Sequence, residues 1–151
     1  MKRKLLQLRP WLPTVIVLLA LLYLTLQSPQ QTTDASGFVQ RCLISLFGFF
    51  GEVPSWVHDM HTVRSLAHIP EYFLLGIALW IGFKSVSAHP AGWSFLAGGI
   101  IGLLDEVLKE LLPTREFDLG DWRLDLIGVG IALGFCWAIS TIVKAKRKPV
   151  S

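Results

Sequence analysis

A chain of 151 residues that is 52% hydrophobic and only 17% charged, with a mean hydropathy of +0.53, is too apolar for an ordinary soluble domain and has the length of one helical unit. All eleven carboxylates lie between Asp34 and Asp125, seven of them from Asp105 to Asp125, whereas the two ends carry only bases: Lys2, Arg3, Lys4 and Arg9, then Lys144, Lys146, Arg147 and Lys148. Those bases stand beside apolar runs, as anchoring flanks do, which excludes nucleic acid as a partner and leaves the lipid bilayer.

The first apolar run, Trp11 to Leu26, predicts a transmembrane helix over about 11–27. Its basic flank also suits a signal peptide, but no small-x-small cleavage site follows, so a retained helix is expected. The next stretch, FVQRCLISLFGFFG at 38–51, is too short for the ~20 residues a span needs and predicts an interfacial or re-entrant helix. Three more spans are expected, at about 66–84, 91–108 and 123–143. The apolar cores of the first two, Ile69–Phe83 and Ala91–Leu104, are also short, so they must borrow flanks that carry ionisable groups. The expected fold is all-α: a polytopic membrane protein with a four-helix transmembrane bundle, one interfacial or re-entrant helix between the first two spans, and a single domain over 1–151. Gly98–Gly102, Gly128–Ala132 and Gly130–Gly134 have the small-residue spacing of close helix packing. Both basic ends are expected in the cytoplasm, which puts the 84–91 turn inside and the 27–67 and 105–124 connections outside. Cys42 and Cys136 then fall near opposite faces, and no disulfide between them is expected.

Three polar groups converge at the predicted outer mouth. Arg64, His68 and Glu71 are spaced i, i+4, i+7, one face of a helix. A helix beginning near His68 would hold Pro70 in its first turn and allow an Arg64–Glu71 pair. Asp105 and Glu106 are neighbours, ~100° apart on a helix, so they cannot both chelate one ion unaided. One is expected to pair with Lys109 or Arg115 while the other faces Asp121, Asp125 or His68. Asp118, Asp121 and Asp125 again share one face, and acids there complement a helix N-terminus. Ionisable groups at a membrane edge cost on the order of 2.5–3.5 kcal/mol each and face the bundle interior with a partner. The cluster is therefore either a salt-bridge lattice or a functional polar site. A divalent cation is the candidate ligand for several carboxylates and one His. His58 and His61, i and i+3, are expected at the membrane surface. Trp122 is a belt anchor or a platform for a sugar or headgroup. No phosphate loop, Ser-His-Asp order, zinc-hydrolase pattern or activated Cys is present, so no catalytic residue is assigned and no further cofactor is expected.

The strings VRSLAHIPEYFLLG (63–76), DEVLKELLPTR (105–115) and DWRLDLIGVGIALG (121–134) resemble the three signature blocks of VanZ-like membrane proteins, a family named for a teicoplanin-resistance accessory protein of Gram-positive bacteria. Arg64, His68, Glu71, Tyr72, Gly76, Asp105, Glu106, Pro113, Arg115, Asp121, Asp125 and Gly128 match that pattern in order. Lys109 stands where the pattern has Gln, and Thr114 where Gly is common. The resemblance implies a bacterial cytoplasmic-membrane protein of the cell envelope with an outward site made of Arg64, His68, Glu71, Asp105, Glu106, Arg115, Asp121 and Asp125. It implies lowered susceptibility to lipoglycopeptides such as teicoplanin, through engagement of a cell-wall lipid intermediate or of the glycopeptide itself. Two alternatives stay open. One is a membrane enzyme acting on a lipid headgroup, with Glu106 or Asp105 as general base and Arg64 and Arg115 holding phosphate. The other is an ion- or proton-coupled transporter, for which the inner halves of the predicted spans offer no ionisable group.

Overall fold

In the computed structural model, which describes residues 8–112 and 116–146, all regular structure among the described residues is helical. The helices are α1 Leu12–Thr25, α2 Pro29–Phe50, α3 Met60–Lys84, α4 Pro90–Glu110 and α5 Leu119–Lys146, with short 3₁₀ turns at Arg9–Trp11 and Ser55–His58. α3, α4 and α5 are each long and apolar enough to cross a membrane, and α1 with α2, which meet at 111°, form either a broken span or a re-entrant pair. The protein is thus a helical membrane bundle. α1 alone has 14 residues, about 21 Å at ~1.5 Å per residue against ~30 Å of hydrocarbon, and the 3₁₀ turn before it supplies part of the difference.

The bend between α1 and α2 is written in local chemistry. Ser28 caps α2 through a reciprocal capping box: its hydroxyl accepts from the Gln31 amide at 3.3 Å, and the Gln31 side chain accepts from the Ser28 amide at 2.9 Å. Pro29 occupies the first helical position, where a missing N–H costs nothing. The helix expected to begin at Phe38 therefore begins at Pro29. Beyond Phe38 it is mostly apolar, with Phe38, Leu46, Phe49 and Phe50 exposed, as suits a helix lying against lipid. α2 ends at Gly51, whose φ of 140° favours glycine. Gln40 then ties α2 back by donating to the Val57 carbonyl at 2.8 Å, and Val57 is wholly buried.

α3 starts at Met60, well ahead of the expected start near His68, because Asp59 is a helix cap. Its carboxylate accepts from the amides of His61 at 3.1 Å and Thr62 at 3.3 Å and from the Thr62 hydroxyl at 2.5 Å. Pro70 consequently lies inside the helix, where the Leu66 carbonyl loses its usual donor. The Thr62 hydroxyl, then the amides and His61, hold the exposed Asp59 carboxyl below the ordinary carboxylate range. Its stabilising effect is present above the unfolded-state pKa and lost as pH falls through the lower folded value. Asp59→Ala should lower the protection of the His61 and Thr62 amides, relative to their unfolded exchange rates, by about fivefold at neutral pH, and acidification through that range should lower the same protection in the wild type.

α3 packs against both α5 and α4, and α5 against α4. Small residues allow the approach: a Cβ at Gly128 would lie 2.5 Å from the Ile69 carbonyl oxygen, one at Gly76 2.7 Å from Ala132, and one at Gly98 2.8 Å from Val129. Gly130 and Gly134 depart from the expected pattern, since an added Cβ would meet nothing within 4 Å at either. Their spacing places them on the outer side of α5. Leu21, Tyr72, Leu75, Leu79 and Val129 form the buried apolar core. Cys42 and Cys136 are free thiols.

Candidate functional site

Antiparallel packing brings the C-terminal end of α1, the N-terminal part of α3, the C-terminal end of α4 and the start of α5 to one end of the bundle. There they border a cavity of about 720 Å³. One wall is ionisable: Arg64, His68 and Glu71 from α3, Asp105 and Lys109 from α4, and Asp121 from α5. The other wall is mixed, with Leu24 and Thr25 of α1 and Thr32, Ala35, Ser36 and Val39 of α2. The 111° bend lets α2 form this second wall.

Behind the charged wall sits a buried network centred on His68 and Lys109. His68 Nδ1 lies 2.7 Å from Asp125 Oδ1, and Nε2 lies 3.3 Å from Asp121 Oδ2 and 3.3 Å from Lys109 Nζ. An ammonium can only donate to Nε2 and a carboxylate can only accept from it, so Lys109 and Asp121 compete for that ring atom while Nδ1 faces Asp125. The Lys109 ammonium also meets Glu106 Oε1 at 2.5 Å, Asp105 Oδ2 at 3.4 Å and Asp121 Oδ2 at 3.9 Å. Glu106 and Asp125 are completely buried. The second Glu106 oxygen accepts the Asp118 amide at 3.0 Å, which ties the loop before α5 to α4. The Thr25 hydroxyl has two acceptors for its one hydrogen, Asp105 and the Leu21 carbonyl, and its contact with Asp105 anchors α1 to the same network. Among the described residues, one Asp125 oxygen and the Tyr72 hydroxyl have no hydrogen-bond partner.

Seven of the eight residues expected in the site lie at this end of the bundle, and the eighth, Arg115, lies outside the described residues. They do not form one set of contacts. His68, Asp105, Glu106, Asp121 and Asp125 share the buried network, whereas Arg64 and Glu71 line the cavity beside it. Among the described residues no ion pair joins Arg64 to Glu71. The alternative of Asp105 or Glu106 pairing with Lys109 while the other faces elsewhere is superseded, because Lys109 sits between both. Lys109, which its own i−4 and i−3 spacing to these acids could have flagged, is the hub. Thr25 and the α2 wall carried no such signal, since only the bend brings them here. His61 lines the cavity rather than an outer surface alone. The Trp122 indole donates to the Gly99 carbonyl at 3.0 Å and is half-buried between α4 and α5.

Chemically, the network fixes the His68 ring between Asp125 and Asp121 and neutralises part of its acid with Lys109, while the cavity offers an amphipathic surface next to it. His68, Glu106 and Asp125 each bring a nitrogen or oxygen atom within 4.8 Å of the others. No curated protein and no solved structure is found to match the chain. A sequence model of the VanZ/LLP1 family matches residues 12–142. That match runs through every element bordering the cavity, and the chain belongs to the VanZ/LLP1 family.

Proposed function

We infer that the cavity is an outward-facing binding site for the head of an amphipathic envelope molecule, either a lipid-linked cell-wall intermediate or a lipoglycopeptide such as teicoplanin, and that occupancy lowers susceptibility to the drug. One observation carries this reading: the cavity of about 720 Å³ has an ionisable wall on α3, α4 and α5 and an apolar and hydroxyl-bearing wall on α1 and α2. That volume is within the ~300–1,000 Å³ of small-ligand sites, and the two walls suit a polar head joined to an acyl chain. With the basic termini in the bacterial cytoplasm, this end of the bundle faces outward.

Arg64 and Glu71 are the residues with which to test it, because they border the cavity without belonging to the buried network. Arg64→Gln and Glu71→Gln should keep membrane abundance and thermal stability near wild type. Loss of one charge-assisted hydrogen bond to a ligand should weaken binding by roughly tenfold to a hundredfold. In a Gram-positive host, wild-type protein should raise teicoplanin tolerance selectively over vancomycin, and either variant should remove that protection at equal abundance. Full protection from both variants would overturn the site. Absence of protection by an abundant wild type would overturn the drug-related role and leave lipid-intermediate binding to be measured directly.

The Asp125–His68 pair favours a second reading, a membrane enzyme acting on a lipid headgroup, since an oriented imidazole is a common acid–base group. Its Nε2, however, is engaged by Lys109 and Asp121. The enzyme reading requires headgroup release from lipid vesicles that Asp125→Asn abolishes.

A further inference from the structure

The Lys109 ammonium occupies a position whose surroundings are those of a metal centre. Glu106 Oε1, His68 Nε2, Asp105 Oδ2 and Asp121 Oδ2 converge on its nitrogen at 2.5, 3.3, 3.4 and 3.9 Å. One imidazole nitrogen with carboxylate oxygens is a donor set for a first-row divalent ion such as Mn²⁺ or Zn²⁺. The outer support of a metal centre is present as well. His68 presents Nε2 to this point because Nδ1 is held at 2.7 Å by the wholly buried Asp125, the carboxylate–histidine arrangement that orients metal-bound imidazoles. Glu106 is fixed from behind by the Asp118 amide at 3.0 Å. A lysine reaching this point from one turn away on α4 fills it with a tethered single charge.

We propose that Lys109 is a built-in cation that takes the place of a divalent metal, so that the native site works without one, and that shortening Lys109 to a neutral side chain converts the site into a binding site for a divalent transition-metal ion. The ligands are His68, Glu106, Asp105 and Asp121. Contraction from the lysine distances to the ~2.0–2.2 Å of metal–nitrogen and metal–oxygen bonds requires little of Glu106 and more than an ångström from the other three groups. Removal of the four-carbon lysine stem frees that space. The inference is independent of what the neighbouring cavity binds.

The test uses full-length protein in detergent micelles, stripped of metal and titrated with Mn²⁺, free Mn²⁺ being read by electron paramagnetic resonance. Lys109→Ala should bind one Mn²⁺ per chain at least about a hundredfold more tightly than wild type, because a fixed positive charge no longer stands at the site. His68→Ala in the Lys109→Ala background should abolish that binding. Wild-type protein should show the same melting temperature with and without a chelator. Equal Mn²⁺ binding by wild type, or chelator-dependent melting of wild type, would overturn the proposal, as would a folded Lys109→Ala protein that binds none. Should Lys109→Ala fail to accumulate, Lys109→Arg, which keeps the charge, should accumulate normally, and Mn²⁺ or Zn²⁺ in the growth medium should restore the alanine variant. Absence of that rescue would equally overturn it.

Discussion

Alanine at Gly128 should nearly abolish accumulation of the folded protein in membranes, while alanine at Gly130, two residues along the same helix, should leave it unchanged. A methyl group at Gly128 would lie 2.5 Å from the Ile69 carbonyl oxygen and 3.1 Å from the Phe73 amide nitrogen. Both are backbone atoms of α3, so no rotamer change relieves the clash, and α3 and α5 must separate. Overpacking in a tight core costs about 1–3 kcal/mol and more where backbone must move. Here the separation also pulls Asp121 and Asp125 away from His68, because these acids lie on the first turns of the same α5. At Gly130 nothing lies within 4 Å of the added carbon. Membrane abundance and melting temperature in detergent measure the contrast. Equal tolerance at both positions would refute the close crossing of α3 and α5.

Glu106→Ala should be the most damaging change among the acids of the site, by about 3–5 kcal/mol, the cost of breaking a buried ion pair from one side. Glu106 is completely buried and among the described residues serves two donors at once, the Lys109 ammonium at 2.5 Å and the Asp118 amide at 3.0 Å. Its removal leaves the ammonium with its more distant partners and leaves the Asp118 amide without an acceptor. Glu106→Gln should recover only part of the loss. Both neighbours are donors, and a carboxamide has one oxygen, so its NH₂ group must face one of them. Glu110→Ala, on the exposed side of α4 and bonded among the described residues to the Phe117 amide at 2.9 Å, should cost far less. Unfolding titrations of the three variants in mixed micelles rank them. A Glu106→Ala protein as stable as Glu110→Ala would mean that the network does not hold this end of the bundle together.

Periodicity explains why most of the site was legible before the fold. Arg64, His68 and Glu71 recur at helical spacing, as do Asp118, Asp121 and Asp125, and ionisable groups interrupting apolar runs must find partners. Signals of another kind were equally local but compete with hydropathy. The Ser28-Pro29-x-Gln31 box and the Asp59 cap start α2 and α3 in polar sequence, ahead of any apolar run, so hydropathy alone begins both helices too late. Gly130–Gly134 has the same spacing as Gly98–Gly102, yet only the latter faces a neighbour. Spacing says that residues share a stripe and leaves open which side of the helix is covered.

By itself the sequence determined the class of the protein, its helical membrane character and the end at which its acids gather, because hydropathy and charge act over runs of residues that need no partner to be read. Tertiary structure alone decided the rest. That Lys109 is the hub, that Arg64 and Glu71 stand apart from the buried network, that Thr25 anchors α1 to Asp105 and that α2 closes the second wall of the cavity all depend on where side chains from distant helices meet. A charged group within an apolar medium has to be neutralised by whatever donor or acceptor the packing delivers, and helix crossing, set by steric contacts at Gly76, Gly98 and Gly128, makes that delivery.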